Sequence, residues 1–265
     1  MTNTDEMVFG FPEFAATVFA AHGPELRLAY THSQLANKMF AALPTRMKKQ
    51  QIVIYMLVRM TTTGWVELLT LVGHGAGLGA IKIARGMFES AVMAEYLRQF
   101  PAEMQDYVEY GHVIFYKRLK RHPGAASSGM AANMEKEYNR VKHRFEKNGR
   151  IRNQWNKHPI SYMAEKVGRA AQYEVSYSLA ASIHHGNFEA MTAHLSGDKA
   201  KLDIEQPPQP PSLEWLNQAL ASGHVYLLQA LDTLNDHFEL GYDSQLKEAG
   251  EVFTKVWSEK RPGKK

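Results

Sequence analysis

The sequence predicts an all-α fold, a single bundle of about seven or eight helices. Apolar residues recur at three- and four-residue spacing through most of the chain, as on one face of a helix. No run of alternating β-branched residues is bounded by the turns that close hairpins. Proline or glycine marks the ends of the long apolar segments. Together these patterns favour helices joined by short loops.

Four helices are predicted in the first half of the chain. In the first, Leu28, Leu35 and Met39 form one apolar stripe, and Pro44 follows its end. The second is apolar on all sides, which indicates a buried helix, and its TTTG stretch is a point where it could kink or divide. Pro101 separates the third from the fourth, which is rich in aromatic residues. The predicted ranges are Glu25–Leu43, Ile52–Val72, Gly77–Phe100 and Ala102–Arg121.

The second half predicts shorter helices between longer connections. HPGAASSG is a loop, and residues 149–159 form a connector that contains Trp155. Ser212 has the side chain expected of an N-cap. The predicted helices are Ala131–Asn148, Ser161–Val167, Arg169–Leu195 with an interruption near HHG, Ser212 to about Leu240, and Asp243–Trp257. We predict one helical domain over residues 1–265, in which a proline-rich linker at 206–212 leads to a C-terminal helical hairpin.

Composition excludes several kinds of site. The chain has 265 residues and no cysteine, so disulfides, thiolate metal centres and a cysteine nucleophile are excluded. The N-terminus lacks the basic region of a secretory signal, and Glu67, His74 and Lys82 interrupt the longest apolar stretch. We therefore expect a cytoplasmic protein without a membrane partner, and we expect it to form a homo-oligomer.

Basic residues are concentrated in two segments, within a chain whose net charge is +4 and whose pI is about 9.0. Such clusters are typical of a solvated helix face, of a nucleic-acid contact or of a contact with an acidic protein. If the clusters contact a nucleic acid, the expected partner is RNA, and the candidate side chains are Lys117, Arg118, Lys120, Arg121, Arg140, Arg144, Arg150 and Arg152.

The glycines of GHGAGLGAIKIARGMFESA do not match a phosphate-binding loop. A P-loop requires Gly-Lys-Ser/Thr after a strand, and no such tripeptide is present. Gly75, Gly77 and Gly79 give G-x-G-x-G after a helix, whereas a dinucleotide fingerprint is G-x-G-x-x-G between a strand and a helix. The glycines are instead predicted to turn the chain between two helices and to permit close packing.

Arg85 and Glu89 lie four residues apart in the apolar helix that follows these glycines, and so on one helical face. The pair is consistent with two interpretations. It can be a structural ion pair that fixes the register of the helix, or it can be part of a functional polar cluster.

Two histidines interrupt the Ala/Ser-rich segment YSLAASIHHG. The pattern favours a buried core position for His184. His185 stands directly before Gly186, where a helix would bend or end, and is the stronger candidate for a functional side chain.

These segments resemble an uncharacterised all-helical family, DUF5677. ARGMFESAVMAEYL is similar to the family's R-S-x-x-E helix, and YSLAASIHHG to its Y-x-x-x-S-x-x-x-H-G segment. Trp155, Lys157, Ile160, Met163 and Ala164 match the element between them. The resemblance covers roughly residues 35–240 and implies that Arg85, Glu89 and His185 are the family's polar positions.

The family is in turn similar to helical folds that include the HEPN ribonucleases. That resemblance implies a metal-free RNA-directed activity, in which His185 would carry a proton of the RNA 2′-hydroxyl and Arg85 would stabilise phosphate charge. Glu89 would orient one of the two. HEPN enzymes carry an R-x(4–6)-H motif, but the arginine nearest before the histidines is Arg169, so Arg85 would act from another helix.

Other chemistries are less well matched. Glu109 and His112 form one Glu-x-x-His pair, but no second pair exists for a carboxylate-bridged di-iron site. A serine hydrolase elbow, G-x-S-x-G, is absent. We predict no cofactor and no metal. Three hypotheses remain: a HEPN-like RNA-directed effector, a non-catalytic interaction or oligomerisation module, and a helical bundle that binds a small molecule or a metal.

Overall fold

The structure, a computed structural model, describes residues 12–185 and 215–259. Nine α-helices and one two-stranded hairpin are found in this part of the chain. The all-α prediction is therefore confirmed. The helices are α1 (Pro12–Ala41), α2 (Lys49–Gly73), α3 (Gly77–Gln99), α4 (Met104–Arg121), α5 (Ser128–Val141), α6 (Ile160–Lys166), α7 (residues 170–185), α8 (Leu216–Phe238) and α9 (Asp243–Glu259). The proline-rich linker, the Ser212 cap and the predicted helix beyond residue 185 lie outside the described residues.

Helices α2, α3 and α8 form the centre of the bundle, and they pack against one another more extensively than any other helices described. One cluster of buried side chains takes members from all nine helices. Trp65 on α2 is its largest fully buried side chain, and its indole Nε1 donates a hydrogen bond to Ser33 Oγ on α1 at 2.9 Å. This bond fixes the outer helix α1 on the central layer.

Close packing between α2 and α8 depends on one glycine. A Cβ atom at Gly223 would lie 2.9 Å from Cζ3 of Trp65 and 3.0 Å from Cδ1 of Leu68. Real Cβ contacts are longer, so only glycine lets the two helices approach so closely at this point.

The turn between α2 and α3 confirms the structural interpretation of the glycine-rich stretch. Helix α2 ends at Gly73 and α3 begins at Gly77. Gly75 between them has φ of +72°, a left-handed conformation that favours glycine. Helix α2 itself is continuous through Thr61–Gly64, because the buried Trp65 and Leu68 keep the second half of the helix in the core.

The predicted helix Ala131–Asn148 is wrong at its C-terminal end. Helix α5 stops at Val141, a 3-10 turn follows, and Glu146–Lys147 (β1) pairs antiparallel with Arg150–Ile151 (β2). Asn148 and Gly149 connect the strands with positive φ values of 52° and 71°. Asn-Gly is a common sequence for a tight hairpin turn of this kind, because both residues tolerate φ > 0.

Helix α2 is, of the helices described, the one long and apolar enough to cross a membrane by length and composition. Seven of its residues are buried inside the bundle. Its apolar composition therefore reflects in part its place in the core.

Candidate functional site

The predicted ion pair between Arg85 and Glu89 forms on the side of α3 that faces α7. Arg85 Nη2 lies 3.1 Å from Glu89 Oε1, as the four-residue spacing predicts. The arginine side chain is 20% exposed and the glutamate 39%, so the pair lies at the edge of the core rather than inside it. At this depth water screens the attraction, and the pair alone stabilises the fold only modestly.

Tyr177 completes the group from the opposite helix. Its hydroxyl donates a hydrogen bond to Glu89 Oε1 at 2.7 Å, and Arg85 Nη2 donates to the same hydroxyl at 3.5 Å. The Arg85 guanidinium also lies 5.6 Å from the centroid of the tyrosine ring, within the range of a cation–π contact. The three side chains therefore satisfy one another across the α3–α7 interface.

A π-helical turn places Tyr177 in this position. Helix α7 consists of an α-helical turn, Ala170–Gln172, a π-helical segment, Tyr173–Tyr177, and a second α-helical segment, Ser178–His185. Tyr173 stacks on Tyr177 with centroids 5.0 Å apart, and Phe88 of α3 lies 5.0 Å from Tyr177 on the core side. A π-helical turn changes the angular position of the side chains that follow it, and such turns are frequent at functional sites.

Burial and the neighbouring charges hold Tyr177 and Arg85 in fixed protonation states. Burial raises the pKa of Tyr177, and the negative charge of Glu89 raises it further. Burial alone would lower the pKa of Arg85, but the hydrogen bond to Tyr177 and the charge of Glu89 outweigh it and raise the pKa. Tyr177 therefore stays a neutral donor and Arg85 a cation throughout the physiological pH range.

A second ion pair joins the same two regions of the chain. Arg169 Nε lies 3.2 Å from Glu95 Oε2, and Gln229 of α8 donates to the same oxygen at 2.9 Å. Glu95 is 8% exposed, so this carboxylate is the more buried one. We call Arg85, Glu89, Glu95, Arg169 and Tyr177 the α3–α7 polar seam.

The seam also sets the direction of α7. Arg169 faces Glu95 near the end of α3, whereas Tyr177 faces Glu89 and Arg85 nearer its beginning. Helix α7 therefore runs antiparallel to α3, with polar contacts about two helical turns apart.

Asp232 on α8 lies near the second ion pair. Burial raises the pKa of Asp232, and the charges of Asp236 and Glu95 raise it further. Arg169 and Arg98 act in the opposite direction. The sequence pattern did not single out this group, because its members come from three separate segments of the chain.

His185 does not join Arg85 and Glu89. It lies at the C-terminal end of the described part of α7, eight residues and therefore about 12 Å beyond Tyr177. Its side chain is exposed and contacts the ring of His184, 5.2 Å away. Within residues 12–185 and 215–259 no hydrogen bond or ion pair links His185 to the α3–α7 polar seam. His184 is exposed as well, so the predicted core position for His184 is wrong: its side of α7 is not covered by another described element.

The two basic segments meet in space. Lys117 Nζ of α4 donates to the carbonyl oxygen of Arg152 at 3.1 Å, and Tyr110 Oη donates to the same oxygen at 2.8 Å. This contact brings the basic end of α4 beside the hairpin formed by β1 and β2.

Internal contacts engage several of the predicted nucleic-acid ligands. Arg140 and Arg144 both bind the carboxylate of Glu109, which is 4% exposed. Arg140 also lies 2.8 Å from Glu137 Oε2, and Arg144 pairs with Asp106. These arginines therefore pack α4 against α5 and the turn that follows α5. The hydrogen bonds from Arg140 and Gln105, with the charge of Arg144, overcome the effect of burial and lower the pKa of Glu109.

The other predicted ligands divide between engaged and exposed side chains. Arg152 donates from Nη2 to the Arg144 carbonyl at 3.1 Å and lies over the ring of Phe145. Lys120 lies 5.3 Å from the centroid of the Tyr116 ring. Among the predicted ligands, Arg118, Arg121 and Arg150 are exposed and form neither an ion pair nor a cation–π contact with a described residue.

The Glu109–His112 pair does not form the beginning of a metal site. Glu109 binds Arg140 and Arg144, and His112 Nε2 lies 4.0 Å from Glu137. Within the part of the chain that the structure describes, no three histidine or carboxylate side chains are grouped to hold a metal ion.

Comparison with known families identifies the region that contains these contacts. The profile of a family of unknown function, DUF5677, matches residues 50–202. The chain belongs to this family. The match covers more than half of the DUF5677 protein and takes in α2 to α7, with all five residues of the α3–α7 polar seam. No curated protein and no solved structure matched the chain.

The match is shorter than the range of 35–240 expected from sequence motifs, and neither α8 nor α9 lies within it. Arg85 and Glu89 of the seam were predicted from the sequence, whereas Tyr177, Glu95 and Arg169 were not predicted as members of the same group. Two signals were present. Tyr177 opens the second family-like segment, and Glu95 is an acidic residue in the apolar row of α3.

Proposed function

We propose that this DUF5677 protein is a helical binding module, in which the α3–α7 polar seam is structural rather than catalytic. The observation that carries the proposal is the group closed by Tyr177, whose hydroxyl bonds Glu89 at 2.7 Å while Arg85 lies 3.1 Å from the same carboxylate oxygen. A catalytic arginine stabilises charge that develops in the transition state, so its N–H groups must be available to the substrate. In the seam a permanent carboxylate already neutralises Arg85.

The position of His185 supports the same proposal. A general base must come within hydrogen-bonding distance of the proton that it removes, while its partner groups hold the substrate. His185 lies about 12 Å along α7 from Tyr177, without contact to Arg85 or Glu89. One substrate atom could not be reached by both His185 and Arg85 without a rearrangement of α7.

The proposal is tested by comparing two variants of the seam with two exposed controls. Arg85→Gln and Glu89→Gln should each lower the melting temperature, because each leaves a charged partner without its counter-charge. Lys82→Gln on α3 and His185→Ala on α7 should leave it unchanged, since both side chains are exposed.

All four purified variants are then incubated with a fluorescently labelled single-stranded RNA, beside the unsubstituted protein. The binding-module proposal expects no RNA cleavage that depends on His185 or Arg85. Cleavage by the unsubstituted protein that disappears in a folded His185→Ala variant would overturn it.

A HEPN-like RNA-directed activity is the second candidate function, and one observation favours it. The contact between Lys117 and Arg152 brings the exposed cations Arg118, Arg121 and Arg150 onto neighbouring elements, as an RNA backbone contact requires. In this function His185 would be the proton carrier, Arg85 the phosphate partner and Glu89 the residue that orients one of them.

This second candidate makes its own prediction. RNA cleavage should persist in a chelator, because the proposed chemistry needs no metal, and Arg118→Glu with Arg121→Glu should weaken RNA binding with a reduced dependence on salt. Lack of any cleavage by the unsubstituted protein in either single-stranded or structured RNA would eliminate the candidate.

A further inference from the structure

The outward side of α2 carries a row of large apolar side chains that no described element covers. Ile52, Met56, Met60 and Val66 are between 46% and 61% exposed. Their spacing of four, four and six residues places them on one side of the helix, over about 21 Å of its length. We call these four residues the α2 outer face. Several large apolar side chains exposed on one side of a helix are typical of an interaction site, whereas scattered single apolar residues are not.

The α2 outer face does not result from a poorly packed helix. The opposite side of α2 is buried against α3 and α8, and Ile54, Val58 and Leu68 on that side are fully buried. The bundle therefore holds α2 in place and presents its outer face to solvent at a defined angle.

Cations predominate around the face, although the exposed Glu67 on α2 lies beside Val66. Between Glu25 and Glu67 the chain has six cationic residues and no acidic one. Arg46, Lys48 and Lys49 precede the apolar row at the beginning of α2, and Arg59 lies within it. All four are exposed, and none forms an ion pair with a described residue. Their positive charge is therefore available to an external anion.

A groove beside the face extends the apolar surface. It lies between the C-terminal end of α1 and α2, has a volume of about 640 Å³, and includes Phe40, Leu43, Met47 and Val66 in its lining. Arg59 also lines it and donates a hydrogen bond to the hydroxyl of Tyr55 at 2.6 Å, which holds the guanidinium at the groove. The groove therefore adds apolar surface and one fixed cation, Arg59, beside the α2 outer face.

We propose that the α2 outer face docks the protein peripherally on a lipid bilayer that contains anionic phospholipids, in contrast to the expectation from the sequence of no membrane partner. Ile52, Met56 and Met60 enter the boundary between headgroups and acyl chains, while Arg46, Lys48, Lys49 and Arg59 bind lipid phosphates. This combination of an apolar stripe and adjoining cations is the one by which interfacial helices bind membranes. The inference rests on the proposed binding-module function and names its partner.

Charge complementarity favours this partner over a second copy of the chain. A symmetric dimer through the α2 outer face would bring two sets of the same four cations together, with one carboxylate on α2 of each copy, that of Glu67, to oppose them. An anionic bilayer supplies both the negative charge and the apolar layer that the face lacks.

The experiment is flotation of the full chain with two kinds of vesicle, phosphatidylcholine alone and phosphatidylcholine with phosphatidylserine, at low and high salt. We expect binding to the phosphatidylserine vesicles that weakens as salt rises. Lys48→Glu with Lys49→Glu should reduce the bound fraction by about tenfold or more. Met56→Ser with Met60→Ser should also abolish most binding.

The matched control reverses two exposed charges on α4, Arg118→Glu with Arg121→Glu, which should leave vesicle binding within about twofold of the unsubstituted protein. All variants replace exposed side chains, and equal melting temperatures establish that each is folded. Failure of the unsubstituted protein to float with phosphatidylserine vesicles would overturn the inference. Equal loss of binding in the α4 control would overturn it as well, because binding would then follow net charge rather than the face.

Sedimentation of the same variants without lipid tests the alternative partner of the α2 outer face, a second copy of the chain. An oligomer that dissociates in Met56→Ser with Met60→Ser would make the face a self-association surface and overturn the membrane partner, but would leave the binding-module function intact. The binding-module function fails on a different measurement, the His185-dependent cleavage of RNA.

Discussion

The hydroxyl of Tyr177 donates a hydrogen bond to Glu89 Oε1 at 2.7 Å, although eighty-eight residues separate the two in the sequence. Because Arg85 lies beside the same oxygen, the bond links an ion pair within α3 to the packing of α7. The position of α7, and with it the exposed histidines at its end, therefore depends on this contact.

Replacement of Tyr177 by phenylalanine should lower the free energy of unfolding by about 1–2 kcal/mol, since it removes a hydrogen bond to a charged acceptor but keeps the ring. For a chain of this size that corresponds to a fall in melting temperature of roughly 2–8 °C. Tyr173→Phe is the matched control, because Tyr173 stacks on the same ring and its hydroxyl forms no hydrogen bond with the described residues. Equal effects of the two substitutions, measured by thermal denaturation, would contradict a stabilising role for the Tyr177–Glu89 bond.

Glu109 supports the second group of buried polar contacts. Glu109→Gln should cost about 2–3 kcal/mol, because the carboxylate is almost fully buried and receives hydrogen bonds from Arg140, Arg144 and Gln105. Glu137→Gln on α5 should cost less than Glu109→Gln, since that carboxylate is more exposed and pairs at the surface. Urea denaturation of the two variants provides the comparison, and a larger loss for Glu137→Gln would show that Glu109 is not the centre of this group.

Replacement by alanine should change the stability of the protein in opposite directions at two glycines of the central helices. Gly223→Ala should destabilise the protein by about 1–2 kcal/mol, because the clash with Trp65 and Leu68 outweighs the better helix propensity of alanine. A Cβ atom at Gly86 would meet nothing within 4 Å, so Gly86→Ala should stabilise α3 by about 0.5–1 kcal/mol. Melting temperatures of the two variants should lie on either side of the unsubstituted value. A stabilised Gly223→Ala variant would mean that α2 and α8 can separate at this point without cost.

The helices that could be predicted most closely from the sequence were those whose ends carry local signals. Helix α3 was expected at Gly77–Phe100 and spans Gly77–Gln99, because Gly75 and Pro101 mark its limits through their own backbone restrictions. The hairpin formed by β1 and β2 was missed, although Asn148 and Gly149 form a recognised turn sequence. The two strands have only two residues each, too few to show an alternating pattern.

The candidate site was predictable only where its residues belong to one helix. The contact between Arg85 and Glu89 follows from the helical repeat alone. The contributions of Tyr177 and Arg169 depend on how α7 packs on α3, which no local pattern specifies. The joint action of His185 and Arg85 stays a prediction, and the sequence pattern did not show that eight further residues of helix place the imidazole of His185 beyond Tyr177.

A buried pair of histidines should make stability depend on pH. His32 on α1 and His224 on α8 are both fully buried, with their Nδ1 atoms 3.0 Å apart. Burial lowers the pKa of His32 to about 4 and that of His224 to about 3, where the charge of its partner adds to the effect. Burial also lowers the pKa of His237, which is less buried. His237 therefore contributes to the dependence of stability on pH in the same direction.

The sign of the dependence follows from the lowered pKa values. The unfolded chain binds protons at these histidines below about pH 6.5, whereas the folded protein does not, so stability is complete above pH 6.5 and decreases as the pH falls toward 4. Between pH 7.5 and 5.5 each of His32 and His224 should account for a loss of about 1.4 kcal/mol. The free energy of unfolding is measured in urea across this range, where carboxylates with a lowered pKa, such as Glu109, remain ionised in both states.

Replacement of His32 by asparagine removes one of the two buried titrating groups and should reduce the pH dependence by about half. The control is His184→Asn with His185→Asn, which removes two exposed histidines and should leave the slope unchanged. The free energy of unfolding could instead lose its dependence on pH in this control and keep it in His32→Asn. That result would place the titrating groups on the surface rather than in the contact between α1 and α8. That contact is favourable while both imidazoles are neutral, because an imidazolium buried there would lose its hydration.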